Sequence, residues 1–169
     1  SVIENIDRGL FTAILSRDRS QHKKTREWRV MSMLSADDRF AITELLAKAS
    51  YAYDQRDLAL LESCLCADAS ISFRIGGGDL AGPYEGRETM MGVYKGAMDS
   101  QNDVRRHVVS NAMFTPQGET VDVISNLTLF ATEGGNTKLL TVGLYHDTVK
   151  QEAGAWRIAK RHVELDSAY

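Results

Sequence analysis

Asp54 and His107 are the two side chains of this sequence whose types best suit proton transfer. A neutral imidazole, with an ordinary pKa of about 6.5, can accept a proton near pH 7. A carboxylate beside it would fix its tautomer and stabilise the imidazolium that forms. If the fold brings both side chains into one apolar pocket, the pair would suit removal of a proton from carbon. Loss of water or another leaving group, or return of the proton elsewhere, would follow.

Four further side chains are candidates for contacts with a substrate. Tyr53 directly precedes Asp54, and strand alternation predicts that Asn111 shares a face with His107. From that face, Asn111 could donate a hydrogen bond to a carbonyl or to a developing oxyanion. The remaining two candidates, which would line the pocket, are Ser125 and Tyr145.

A purely structural interpretation of the pair stays open. Asp54 could cap the end of its helix or pair with Arg56 or Arg106, while His107 is a satisfied core histidine. Arg161 could be either a salt-bridge partner or a contact for a substrate carboxylate.

A long amphipathic helix positions Tyr53 and Asp54. Ser35-x-x-Asp38 is a variant of the capping box and predicts where the helix begins. The spacing of the apolar residues that follow predicts a helix of about twenty residues, and they are Ile42, Leu45, Leu46, Ala49 and Tyr53. Asp54 lies at the inner margin of this stripe, not on the opposite face.

After this helix, the sequence predicts two shorter helices and five strands. Asp57 caps a short helix, residues 71–75 alternate as a strand, and residues 87–98 have helical spacing. Four strand-like segments follow near 104–115, 120–131, 138–150 and 155–164, and short turns between them predict an antiparallel meander. This order is typical of an α+β fold. We expect a cone-shaped α+β barrel: a strongly curved antiparallel sheet with helices packed over its concave face and a cavity between the layers.

Composition excludes several classes of function. The chain has 169 residues, of which 43% are hydrophobic, which is enough for one well-buried core. A formal net charge of −3 gives no field that would gather nucleic acid or an anionic membrane, so we expect neither as a partner. No apolar run approaches the roughly 20 residues of a membrane span and no signal pattern opens the chain, so we expect a cytoplasmic protein.

Cofactor and metal motifs are not found in the sequence. Gly76-Gly77-Gly78 lacks the pattern of a phosphate-binding loop. The four histidines are scattered, and no Cys-x-x-Cys accompanies them, so no zinc site is indicated. Cys64 and Cys66 are expected to be free thiols. We therefore expect neither a cofactor nor a metal.

The first thirty residues differ from the rest. An apolar helical series gives way to a stretch rich in Arg and Lys between Ser16 and Arg29. No aromatic ladder interleaves these charges, which favours an arm or extension over a functional basic patch. We predict a helical arm or extension at residues 1–34 and one α+β domain at residues 35–169.

Several short motifs, in this order and spacing, resemble SnoaL-like proteins of the nuclear transport factor 2-like superfamily over roughly residues 35–166. They include Tyr53-Asp54-x-x-Asp57, Gly86-Arg87-Glu88, His107-x-x-Ser110-Asn111, Gly143-x-Tyr145-x-Asp147 and Trp156-Arg157-Ile158-Ala159-x-Arg161. Members include scytalone dehydratase, polyketide cyclases, ketosteroid isomerase, a dehydrochlorinase and non-catalytic β subunits of ring-hydroxylating dioxygenases. They share a fold and not a chemistry, so function must be argued from the site.

The resemblance implies roles for particular residues. Asp54 and His107 match the dyad of the dehydratase and dehydrochlorinase branches, and Tyr53 matches a tyrosine that contacts substrate in scytalone dehydratase. The second pocket histidine of that enzyme falls near Ser125-Asn126 here, so the substrate is expected to differ.

The resemblance also implies three possible functions. The first is a cofactor-independent, dehydratase-like lyase or isomerase that uses Asp54 and His107 on a small hydrophobic substrate, cyclic or polyketide-like. The second is a non-catalytic β subunit that assembles with a larger iron-bearing chain, since residues 156–166 also look like the tail of such a subunit. The third is a protein that only binds a small hydrophobic ligand. In each case a homodimer or homotrimer is expected, because another copy usually covers the sheet of this fold.

Overall fold

The described part of the molecule, in this computed structural model, is residues 34–169. A compact unit spans Ser35–Tyr169. The predicted arm or extension at residues 1–34 lies outside the described residues, apart from Leu34. Within the described range, every helix is too short or too polar to cross a lipid bilayer.

The first helix, α1, spans Ala36–Asp54, as the periodicity predicts. Its start is fixed by Ser35, whose Oγ accepts a hydrogen bond from the Asp38 amide at 3.0 Å and donates one to the Asp38 carboxylate at 2.6 Å. The predicted capping box is therefore confirmed. Trp156 on the last strand donates from Nε1 to the same carboxylate at 2.9 Å, which ties the start of the helix to the sheet. Arg56, with φ +58°, reverses the chain directly after the helix end.

Two shorter helices and two strands follow. Helix α2 spans Leu58–Ser63, strand β1 spans Leu65–Ile75, strand β2 spans Ala81–Glu85 and helix α3 spans Arg87–Asp99. The Asp57 carboxylate caps α2 by accepting a hydrogen bond from the Leu60 amide at 2.9 Å, as predicted. Strand β2 lies in a segment for which the sequence patterns above predict no strand.

The last four strands form the predicted meander. They are β3 (Val104–Gln117), β4 (Thr120–Glu133), β5 (Asn136–Glu152) and β6 (Ala155–Leu165), and consecutive strands pair antiparallel. The six strands lie in the order β2-β1-β6-β5-β4-β3. The α+β prediction is thus confirmed.

Two details of the predicted sheet need correction. Strands β1 and β6 pair parallel, so the sheet is mixed, because the chain crosses over from β1 through α3 and the meander before β6 returns beside it. The sheet is curved but does not close into a barrel, since β2 and β3 each have a neighbour on one side only. Two free edges remain.

The core lies between the helices and the concave face of the sheet. Ile42 and Leu46 of α1 and Met90 of α3 are buried, and so are Val123 and Leu129 on the facing side of β4. Burial alternates along β4 and β5 with a period of two, as expected for a sheet with one face covered. Helices packed over a curved sheet leave space between the layers, and the candidate site lies in that space.

Candidate functional site

Asp54 and His107 meet at the junction of α1 and β3. The Asp54 Oδ1 lies 2.5 Å from the Nδ1 of His107, and its Oδ2 accepts a hydrogen bond from the His107 backbone amide at 2.9 Å. Both carboxylate oxygens are therefore bonded to one residue. The side chains are only 6% and 10% exposed, so this pair is shielded from water.

The alternative partners that the sequence allowed for Asp54 are engaged elsewhere. Arg56 donates from Nη2 to the backbone carbonyl of Gln101 at 2.5 Å. Arg106 donates from Nη1 to the backbone carbonyl of Arg105 at 2.6 Å. Neither guanidinium forms an ion pair with Asp54 in the described part of the chain. The carboxylate is thus bonded to the imidazole and not to an arginine.

This contact determines which nitrogen of His107 can act as a base. A carboxylate against Nδ1 requires the proton to reside there, which leaves the lone pair on Nε2. Nε2 has no hydrogen-bond partner among residues 34–169, and His107 lines the neighbouring cavity. The unprotonated nitrogen is therefore available to a molecule in the cavity.

The cavity has a volume of about 280 Å³. It lies between the helices and the sheet, and its wall is mostly apolar, with side chains that include Leu61, Phe73, Val93, Leu127, Leu129 and Val163. An apolar wall excludes water and strengthens electrostatic contacts inside. A space of this size suits one small, compact organic molecule.

Tyr53 lies against His107 at the cavity wall. The two rings meet edge to face with centroids 5.0 Å apart, and Tyr53 makes a second edge contact with Tyr94 at 5.7 Å. Its hydroxyl accepts a hydrogen bond from Gln101 Nε2 at 2.8 Å. Burial raises the pKa of Tyr53, so its hydroxyl stays protonated.

Tyr145 also lines the cavity. It lies on β5, two strands away from β3, which carries His107. The guanidinium carbon of Arg161 lies 4.2 Å from the centre of its ring, which is a cation–π contact. Burial raises the pKa of Tyr145 well above its usual range. Tyr145 therefore contributes a neutral side chain to the cavity wall.

Arg161 forms a fully buried ion pair with Asp147. Its Nε and Nη2 donate to the two carboxylate oxygens at 2.7 and 2.9 Å, and the side chains are 4% and 0% exposed. Burial opposes the charge of Arg161, but the Asp147 carboxylate raises the arginine pKa well above its usual range. Arg161 also lines the cavity, so the salt-bridge interpretation holds and contact with a ligand remains available.

Tyr94 on α3 is a site residue that the sequence did not reveal. It is 7% exposed and lines the cavity, and its hydroxyl is buried beside the Arg161 side chain. Burial raises its pKa to about 12. Its helical spacing from Met90 and Met98 indicates a core position, so the pattern carried no signal of a polar role.

Asn111 and Ser125 lie outside the cavity wall. In β3 the pairing with β4 shifts between Ser110 and Met113, and Asn111 has φ +54°. This β-bulge adds one residue and turns Asn111 toward solvent, so the prediction that it shares a face with His107 is wrong. Ser125 is 1% exposed on the inward face of β4, but the cavity does not extend to it.

One acidic cluster elsewhere has the composition of a metal site. Ligand atoms of Cys66, Asp68 and Glu152 lie within 4.8 Å of one another. However, Lys150 Nζ donates to both Asp68 oxygens at 2.9 Å, and burial raises the pKa of the Cys66 thiol to about 11. A protonated thiol and a lysine-bound carboxylate are poor ligands, and none of these residues lines the cavity. Cys64 and Cys66 are free thiols, as predicted.

Comparison with known proteins identifies a family that matches most of this chain. The model of the SnoaL-like domain matches residues 35–162. No curated protein sequence matches the chain.

Three similar solved structures come from Novosphingobium aromaticivorans. An NTF2-like protein with a cystatin-like fold is 20% identical, with a TM-score of 0.63 over 83% of this chain and 86% of that one. The β subunit of a candidate aromatic-ring-hydroxylating dioxygenase is 20% identical, with a TM-score of 0.66 over 76% and 89%. A candidate scytalone dehydratase is 21% identical, with a TM-score of 0.62 over 76% and 83%.

Identities this low establish the shared fold and nothing about activity. The match over residues 35–162, together with the observed fold, shows that this chain belongs to the SnoaL-like domain family.

Proposed function

We propose that the protein is a cofactor-independent lyase or isomerase that acts on a small cyclic or polyketide-like molecule. The observation that carries this proposal is the Asp54–His107 contact, which engages Nδ1 and leaves Nε2 free on a ring that lines an apolar cavity of about 280 Å³. The geometry combines a base, its partner and a water-poor space for the substrate.

The reaction follows from the pair. His107 Nε2 takes a proton from a carbon of the substrate, and the electrons of that C–H bond form a C=C bond or an enolate. Asp54 stabilises the imidazolium that results. In a dehydration, the imidazolium returns the proton to a departing hydroxyl group, which leaves as water. In an isomerisation, it returns the proton to another carbon of the same molecule.

The energetic cost of the pair also supports a functional role. Burying a carboxylate beside an imidazole costs desolvation energy, and apolar side chains of similar size would serve stability at least as well. A buried acid and base that line a cavity are therefore more typical of a site where protons move.

Proton exchange on a bound ketone tests this proposal without knowledge of the natural substrate. We would incubate the protein in D₂O with the cyclic ketones 1-tetralone and 1-indanone and follow deuteration beside the carbonyl by NMR. Wild-type protein should accelerate exchange, and His107→Gln should abolish the acceleration. His146→Gln is the matched control, because His146 is a strand histidine outside the cavity wall. Ketones that bind the cavity but exchange no faster with wild type than with His107→Gln would contradict the proposal.

Two alternative functions predict different results with the same purified protein. A β subunit of a ring-hydroxylating dioxygenase, such as the similar structure named above, would need a larger iron-bearing partner. It would co-purify with that partner or fail to fold alone. A protein that only binds a hydrophobic ligand would take up the ketone without exchanging its protons. Under either alternative, the buried Asp54–His107 contact would have a structural role only.

We also propose that a second copy of the chain covers the outer face of the sheet. Val108, Thr128 and Val142 lie side by side there in register, and both valines are exposed, at 47% and 38%. Sedimentation of wild type should show a dimer or trimer, and Val108→Lys combined with Val142→Lys should shift it toward monomer. A wild-type monomer at micromolar concentration would remove this part of the proposal.

A further inference from the structure

The exposed side chains of the cavity wall mark where a ligand can enter. Among the lining residues that the structure describes, only Ile75, Ala168 and Tyr169 are exposed. On the sheet side, Leu127 and Val163 are 2% and 7% exposed, whereas Tyr169 is 57% exposed. The sheet therefore closes one side of the cavity, and at Tyr169 a single side chain touches both the cavity and solvent.

Residues 166–169, which we call the closing segment, follow β6 and form this outer part of the wall. The start of the segment is bonded to β5. The Asp166 amide donates to the Val142 carbonyl at 3.0 Å. Thr141 Oγ1 donates to the Ser167 carbonyl at 3.0 Å. After Ser167, the segment makes no backbone hydrogen bond to the described part of the chain, so its far end is free of the sheet.

Tyr169 is held instead by its side chain. Arg105 donates from Nη1 to the Tyr169 hydroxyl at 2.9 Å, and its guanidinium carbon lies 5.1 Å from the centre of the ring, which is a cation–π contact. Arg105 is itself fixed, because its Nε donates to the Asp103 carboxylate at 2.9 Å and its side chain is only 12% exposed. We call the contact between Arg105 and Tyr169 the latch. It joins the closing segment to β3, the strand that carries His107.

The latch is the weakest part of the cavity wall. One hydrogen bond and one cation–π contact at an exposed position each contribute little to stability. Release of Tyr169 breaks no backbone hydrogen bond of the sheet. Separation of the helices from the sheet would instead expose core side chains such as Leu61 and Leu129, which is far more costly. Opening at the closing segment therefore requires the smallest loss of contacts.

We infer that the closing segment is a movable wall of the cavity, which opens at the latch to admit a ligand, and that Tyr169 limits the size of the ligand when the segment closes. This inference goes beyond the proposed function, because it concerns entry and size and holds whichever reaction follows. With Tyr169 in place, the cavity has about 280 Å³. We expect this closed space to hold a molecule of two fused six-membered rings better than one of three.

Binding rates test the latch. Tyr169→Phe keeps the ring that lines the cavity and removes the hydroxyl that Arg105 binds. Because a ligand enters and leaves through the same opening, the association and dissociation rate constants of 6-fluoro-1-tetralone should both rise. One lost hydrogen bond predicts a rise of about two- to tenfold in each, so the Kd should stay near that of wild type.

The ¹⁹F NMR line shapes of this ketone, recorded at several ligand concentrations, give both rate constants. Tyr51→Phe is the matched control, because Tyr51 is an exposed tyrosine outside the cavity wall. Its rate constants should equal those of wild type.

Tyr169→Ala tests the size limit. The substitution removes the ring that forms the outer wall. Anthrone, a ketone of three fused rings, should therefore bind this variant about tenfold more tightly than wild type, since its third ring no longer meets Tyr169 and keeps its apolar contacts. The smaller 1-tetralone should gain nothing. Tyr51→Ala should bind both ketones as wild type does.

Failure of this inference differs from failure of the proposed function. Unchanged rate constants in Tyr169→Phe would overturn the latch, and an unchanged preference for 1-tetralone over anthrone in Tyr169→Ala would overturn the size limit. If the rate constants rise but His107 catalyses no deuterium exchange, the closing segment moves as inferred and the proposed function fails. If exchange occurs and the rate constants are unchanged, the proposed function stands and the closing segment is a fixed wall.

Discussion

The Asp54 carboxylate contacts His107 twice, at the backbone amide and at Nδ1. The amide contact fixes the carboxylate relative to the strand, and the Nδ1 contact fixes the ring relative to the carboxylate. Because one residue supplies both anchors, the imidazole has one orientation and one favoured tautomer. The unprotonated Nε2 is thereby left on a ring that lines the cavity.

Asp54→Asn should change the tautomer of His107. An amide NH₂ in place of a carboxylate oxygen would donate to Nδ1 and move the ring proton to Nε2, where it blocks base catalysis. Long-range ¹H–¹⁵N NMR of the histidine rings would show the change. Proton exchange on the cyclic ketones should fall on the order of 10²–10⁴-fold.

Asp57→Asn is the control for this variant. Asp57 caps α2, and asparagine caps helices about equally well, so the His107 ring signals should stay as in wild type. An Asp54→Asn protein with unchanged tautomer and unchanged exchange would show that the contact has no chemical role.

Asp147→Asn should destabilise the fold by about 3–5 kcal/mol, because it leaves the buried charge of Arg161 without a countercharge. Urea denaturation would measure the change in the free energy of unfolding. Asp99→Asn is the matched control: Asp99 pairs with Lys95 on the exposed side of α3, and its loss should cost at most about 0.5 kcal/mol. Equal effects of the two substitutions would contradict the assignment of Asp147 as a buried countercharge.

Gly143→Ala should destabilise the protein by about 1–3 kcal/mol, because a Cβ at this position would overlap the backbone carbonyl of Glu164 on β6. Gly96→Ala should instead stabilise it by up to about 1 kcal/mol. Gly96 lies inside α3 with open space around its Cα, where alanine is the better helix former. Chemical denaturation of the two variants should therefore shift in opposite directions, and a neutral Gly143→Ala would disprove the close approach of β5 and β6.

Acid should loosen the contact between α1 and β6. Hydrogen bonds from Ser35 and Trp156 lower the pKa of Asp38 below its ordinary value of 3.8. Because the folded-state pKa is the lower one, the stabilisation by ionised Asp38 is complete above that ordinary value. It is lost as the pH falls through the folded-state pKa.

The indole proton of Trp156 reports this titration. Its NMR shift should move with a midpoint below 3.8, since Nε1 donates to the Asp38 carboxylate. In Asp38→Asn the signal should not titrate in this range. A midpoint at or above 3.8 in wild type would show that the two hydrogen bonds do not stabilise the ionised carboxylate.

Much of the fold follows from local patterns. Ser35 and Asp38 predict where α1 begins, because a capping box needs only residues three apart. The turns of the meander are likewise local, so β3 to β6 are predicted in order and nearly in extent. The parallel pairing of β1 with β6 is not local: the strands are far apart in sequence, and no short motif encodes their contact.

The candidate site also has features that the sequence predicts and features that depend on tertiary packing. The sequence by itself determined that an aspartate would end α1 and that a histidine would stand on a strand. The tertiary structure decided that they touch, since a contact between residues 53 positions apart depends on how α1 packs on β3. The tertiary structure also excluded Asn111 from the cavity wall. One extra residue in β3 reverses the alternation of side chains on which the prediction for Asn111 rested. Tyr94 and Arg161 line the same cavity only through packing, because α3 and β6 are far apart in sequence.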